Sequence, residues 1–104
     1  MRLSTTGNIV DTEIEETLGL VRGNTIRARN VGRDILAGLR NIIGGEIKDY
    51  TQMLSDAREE AISRMVDEAN DLGADAVIEV RFTTSQTMGG AAEILVYGTA
   101  VKLK

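Results

Sequence analysis

Apolar and polar positions alternate in two stretches near the end of the chain. In residues 76–84, Ala76, Ile78, Val80 and Phe82 interleave with Val77, Glu79, Arg81 and Thr83, which predicts a strand with one apolar face. In residues 93–103, Ile94, Val96 and Ala100 take one side, and Leu95, Tyr97, Val101 and Leu103 take the other. That strand is apolar on both faces, and the helices of a two-layer domain can cover one of them, so a second subunit is expected on the other. The stretch 85–92, with Gly89-Gly90, reads as the hairpin connection between the two strands.

Upstream the period changes. In residues 49–72, Tyr50, Met53, Leu54, Ala57, Ala61, Ile62, Met65, Val66, Ala69 and Leu72 form the apolar side of a helix. Asp49 and Gln52 resemble a capping box, and Gly73 stands where a left-handed residue ends a helix. The apolar arc is about 220° wide, against the roughly 100° that packing on one sheet requires, so this helix too implies a second contact. Residues 31–43 predict a shorter helix, with Val31, Ile35, Leu36, Leu39, Ile42 and Ile43 on one face. Asn30 caps its start and Gly44-Gly45 its end; Gly32 and Gly38 weaken it by about 1 kcal/mol each. Residues 3–10 read as a short strand broken at Gly7-Asn8. Residues 13–29 read as a longer one, with Gly19 and Gly23-Asn24 as bulge or turn points.

The order is therefore β-β-α-α-β-β. It predicts an α/β (α+β) domain of two layers: an antiparallel β-sheet covered by two helices. At 104 residues the chain fits one domain, 1–104. With 42% apolar and 27% charged residues it is not a disordered chain. No apolar run spans a bilayer or forms a signal core, so a cytoplasmic location without membrane contact is the default.

Missing residue types narrow the chemistry. There is no Cys and no His, hence no disulfide, no thiolate or imidazole ligand, no thiol nucleophile and no imidazole base. Ser and Lys residues show no triad-like or Ser-Lys spacing, and Gly44-Gly45 and Gly89-Gly90 do not follow the strand, Gly-rich loop and helix order of a phosphate loop. No enzyme and no cofactor are expected; Glu79 is the one carboxylate to examine for acid–base work.

Charge is uneven along the chain. Residues 22–43 hold five Arg against one Asp, whereas residues 44–75 hold nine carboxylates against three basic residues. Arg33 and Arg40 share the polar face of the first helix, with Arg27 and Arg29 just upstream. Such a cluster can pair with the acidic segment of a neighbouring copy or bind an anion. An acidic chain without interleaved aromatics is a poor fit to nucleic acid. Arg58 falls near the centre of the apolar arc, between Leu54, Ile62 and Met65, so it must reach solvent or meet a carboxylate, either across a subunit interface or on a bound anion. Glu60, Arg64 and Glu68 form an i,i+4 ladder.

Several runs occur together: Arg29-Asn30-Val31-Gly32-Arg33-Asp34-Ile35, Gly44-Gly45 leading to Tyr50-Thr51, Gly73-Ala74-Asp75-Ala76-Val77 with Val80-Arg81-Phe82, and Tyr97-Gly98-Thr99-Ala100-Val101. In order and spacing they resemble the YbjQ-like family of small uncharacterised proteins, which carries a heavy-metal-binding label. The resemblance covers essentially the whole chain. It implies a ring of five subunits, or two rings stacked as a decamer, in which the chain's partner is itself. The chain departs from the family at Glu79, where a small residue is common. Ligand or interface candidates are Arg29, Arg33, Arg40, Arg58 and Glu79. The label implies a metal, but soft metals favour thiolate, thioether or imidazole donors. Met53 and Met65 lie on the apolar helix face, and Glu15-Glu16, Glu59-Glu60 and Asp67-Glu68 diverge as neighbours, so no metal ligand is assigned. The leading expectation is a non-enzymatic homo-oligomer binding a small ligand or anion at its interfaces; a carboxylate-based metal-binding protein is the alternative.

Overall fold

Alternation and helical period both take shape in the computed structural model, which describes residues 1–27, 47–86 and 92–104. The elements are β1 (Arg2–Leu3), β2 (Ile14–Arg27), α1 (Ile47–Asp71), β3 (Ala76–Gln86) and β4 (Ala92–Leu103). The strands form one sheet in the order β1-β3-β4-β2, with α1 packed on one face. The expected helix over 31–43 and the turns at Gly44-Gly45 and Gly89-Gly90 lie outside the described residues.

The sheet is mixed, which corrects the antiparallel expectation. β2, β3 and β4 pair antiparallel, but β1 runs parallel to β3, with Arg2 opposite Ala76 and Leu3 opposite Val77. Alternation assigns a side chain to a face and carries no information on the direction of the next strand. β1 is also shorter than the expected 3–10. Beyond Leu3 the small polar side chains turn the chain locally: the Thr6 amide donates to Ser4 Oγ at 3.0 Å and Thr12 Oγ1 to the Ile9 carbonyl at 2.7 Å.

α1 ends as its sequence requires. Gly73 has φ 76°, and the Ala74 and Gly73 amides donate back to the Ala69 and Asn70 carbonyls at 3.0 and 2.9 Å, a Schellman ending. Its start differs from expectation: Asp49 lies inside the helix, not at its cap.

Ala57, Ala61, Met65 and Ala69 of α1 are buried against Val21, Val77, Val80, Ile94, Val96 and Ala100 of the sheet. Each fully buried Val or Met here stabilises by roughly 1.5–3 kcal/mol. The small alanines let helix and sheet backbones approach. Thr25 Oγ1 donates to the Ala57 carbonyl at 3.3 Å, and Arg64 Nη1 to the Asn24 carbonyl at 2.6 Å. Gly23 lies within the continuous strand β2, without a turn, whereas Gly19 (φ 127°) sits at a shift in the β2–β4 register, as its reading as a bulge point expects.

A second cluster occupies the opposite face: Ala76, Ile78 and Val101, with Ile9, Ile14 and Leu103 packed on them. Two sequence readings change as a result. β3 does not present Ala76, Ile78, Val80 and Phe82 on one face, because a register shift between Ile78 and Arg81 re-aims the strand. Ala76 and Ile78 join the second cluster, while Val80 turns to α1. The two-sided apolar character of β4 is as expected, yet part of its second face is covered by the chain's own Ile9 and Ile14.

Candidate functional site

The β3 irregularity centres on Glu79, which takes a left-handed φ of 53°. A side chain there is strained, so surrounding bonds must hold it. The segment just after β1 supplies them. The Glu79 amide donates to the Thr6 carbonyl at 3.0 Å, the Val80 amide to Ser4 at 2.9 Å and the Ser4 amide to Val77 at 2.9 Å. Arg81 Nη1 donates to the Thr5 carbonyl at 2.8 Å and to Val80 at 2.9 Å. Gly7 leaves room for the carboxylate: a Cβ there would lie 3.0 Å from Glu79 Oε1. The carboxylate itself is exposed.

Arg58 is exposed rather than inside the helix–sheet contact, and its Nη2 donates to Ser55 Oγ at 3.2 Å. A helical wheel hides the reason. The contact follows the i,i+4 row 57, 61, 65, 69, which is inclined to the helix axis. At the level of Arg58 that row lies roughly 90° away around the helix, although Arg58 projects into the same arc. Leu54, at 36% exposure, sits on the same uncovered flank, and Leu72, at 46%, just beyond the helix end on the other. In the expected ladder Arg64 pairs with Glu60 at 2.7 Å. Arg29, Arg33 and Arg40 lie outside the described residues.

An open depression of about 850 Å³ is lined by Arg2, Asp11, Thr12, Glu13, Asp75, Leu103 and Lys104. Two of its three carboxylates are engaged: Asp75 Oδ2 accepts the Leu103 amide at 2.9 Å, and Glu13 pairs with Lys104 Nζ at 3.4 Å.

The donor set does not fit a heavy metal. The chain holds no thiolate or imidazole donor anywhere, and no trio of carboxylates converges among the described residues. Met65 is fully buried in the core, while Met1 stands half-exposed, away from any such group.

The sheet brings together a row that no single segment contains. Tyr97 of β4 stands opposite Arg22 of β2 on one side and Arg81 of β3 on the other. All three are exposed, on the face away from α1. No acidic side chain pairs with Arg22 or Arg81 among the described residues. Sequence reasoning missed this row because its members are 16 and 75 positions from Tyr97 and meet through register alone. The two-sided pattern of β4 was the available signal, since it already placed Tyr97 away from Val96.

A family model described as "Putative heavy-metal-binding" (YbjQ) matches residues 1–104. A "UPF0145 protein" of Archaeoglobus fulgidus is 64% identical over 102 residues, covering 98% of this chain and 94% of its own. One from Halorubrum lacusprofundi is 62% identical over 104 residues, covering both chains completely. One from Colwellia psychrerythraea is 58% identical, covering 100% of this chain and 99% of its own. A crystal structure from Pediococcus pentosaceus, described as a protein of unknown function in the DUF74 family, superposes with a TM-score of 0.64. It covers 100% of this chain and 98% of its own at 18% identity, a likeness of fold alone.

Proposed function

The chain belongs to the YbjQ-like family, and on that premise we propose that it works as a non-enzymatic homo-oligomer, a cytoplasmic ring of five subunits that binds a small ligand or anion at its interfaces. The observation that carries this reading is apolar surface that the chain leaves uncovered. Among the described residues Phe82 is 47% exposed and Leu72 46%. Burial of such flanks against further copies is the simplest way to complete the core. The number five rests on the family resemblance.

Light scattering and native mass spectrometry at micromolar concentration test it. A closed assembly of five or ten chains is the expected result, and a folded 11.2 kDa monomer overturns it. The alternative, a metal site built from carboxylates, finds less support, because the Asp75 and Glu13 carboxylates already hold partners within the chain.

A further inference from the structure

We propose that the open sheet face at Arg81–Tyr97–Arg22 binds a nucleoside phosphate, its base stacked on the Tyr97 ring and its phosphate held by the two guanidiniums. Cross-strand partners on one face have Cβ atoms about 5 Å apart, so both arginines can reach over or beside the ring. Arg81 is fixed in place, since one of its nitrogens is tied to the Thr5 and Val80 carbonyls on the β1 side of β3, and its other nitrogens bond no described residue. Arg22 carries no ion pair with any described residue, so no internal salt bridge need break. Tyr97 is 38% exposed, with Leu20 diagonal to it and 63% exposed, so apolar surface adjoins the ring.

The match in size selects the ligand class. One aromatic ring between two cations suits one base and one multiply charged anion. A polynucleotide needs a basic track and successive stacking rings, and the chain's net charge of −4 opposes it. A carboxylate-bearing peptide offers the anion without the π-face. One chain supplies all three residues, and the site requires that subunits of the proposed oligomer pack through surfaces other than this one.

Calorimetry and amide NMR of the full chain with ADP as the probe test the proposal. Expected are chemical-shift changes centred on residues 22, 81 and 97, and binding at least tenfold tighter than adenosine or inorganic phosphate alone. Tyr97→Leu and Arg22→Ala should each weaken ADP at least fivefold, while Tyr97→Phe keeps it. Arg22 is exposed, so its variant remains folded even if Tyr97→Leu does not. The proposal is overturned if inorganic phosphate matches ADP, if a single-stranded oligonucleotide binds more tightly, if ADP leaves the three amides unmoved, or if Arg22→Ala binds like the parent.

Discussion

Gly23 of β2 lies directly beneath Ala61 of α1: a Cβ at Gly23 would come within 2.1 Å of the Ala61 carbonyl oxygen and 2.4 Å of the Met65 amide nitrogen. Both neighbours are helix backbone, which no rotamer change can move. Helix and sheet touch here without an intervening side chain.

Gly23→Ala therefore has to lift α1 off β2, stretching the Thr25–Ala57 and Arg64–Asn24 bonds on either side. The expected loss is about 3 kcal/mol, the upper end for overpacking, read as a fall in the urea midpoint. Gly19→Ala is the comparison. There the new methyl meets nothing within 4 Å, so its cost comes from the positive φ alone, about 1–2 kcal/mol.

Glu79 bears the opposite kind of strain, a side chain at a φ of 53°. Glu79→Gly removes that conflict and should stabilise the chain by about 1 kcal/mol, whereas a β-branched Glu79→Val should destabilise it. Thermal unfolding of both variants checks the pair, and an unchanged midpoint for Glu79→Gly would mean that the bulge is not strained.

Among the described residues Arg58 makes one hydrogen bond, to Ser55. Arg58→Ala and Arg58→Met should leave the far-UV spectrum intact while weakening self-association, with Arg58→Met retaining more of it through its aliphatic stem. Sedimentation across a dilution series measures this. Parent-like assembly of both variants removes Arg58 from the interface.

With no Cys or His to supply soft donors, calorimetric titration of zinc, copper, cadmium or mercury into tag-free protein should show no submicromolar site. Such a site would show that subunits pool weak donors across an interface.

Much of the fold is legible from local pattern. α1 and its Gly73 ending follow from a helical period and a residue that tolerates positive φ, and the two faces of β4 follow from strict alternation. What escapes is non-local. The direction of β1 depends on a partner 74 positions away. The shift at Glu79 breaks an alternation that looks uninterrupted in the sequence, sending Ala76 and Val80 to different clusters. Arg58 reaches solvent, one of the two outcomes its place in the apolar arc required, and the wheel hides why because it collapses the inclined contact row of α1 onto a single arc. The Arg81–Tyr97–Arg22 row was invisible for the same reason as the direction of β1. Register between distant strands is set by the folded sheet, and no local pattern encodes it.

The β1–β3 pairing also orders events in time. Its contacts join residue 2 to residue 76 and Thr6 to Glu79, long closures like those of the β2–β4 ladder, which reaches from Ile14 to Leu103. A β3–β4 hairpin, by contrast, closes a short span, and α1 is local. β2 closes equally long spans but adds a long ladder with β4 and the contact with α1, whereas β1 adds two pairs, so the first six residues have least to offset closure and dock last, onto a sheet already formed. With few buried contacts they also release first, in openings that leave Val21 and Val96 untouched. The strained bulge is thus held by a reversible clasp, and the amides of Glu79 and Val80 exchange with solvent on the clasp's schedule and not on that of global unfolding.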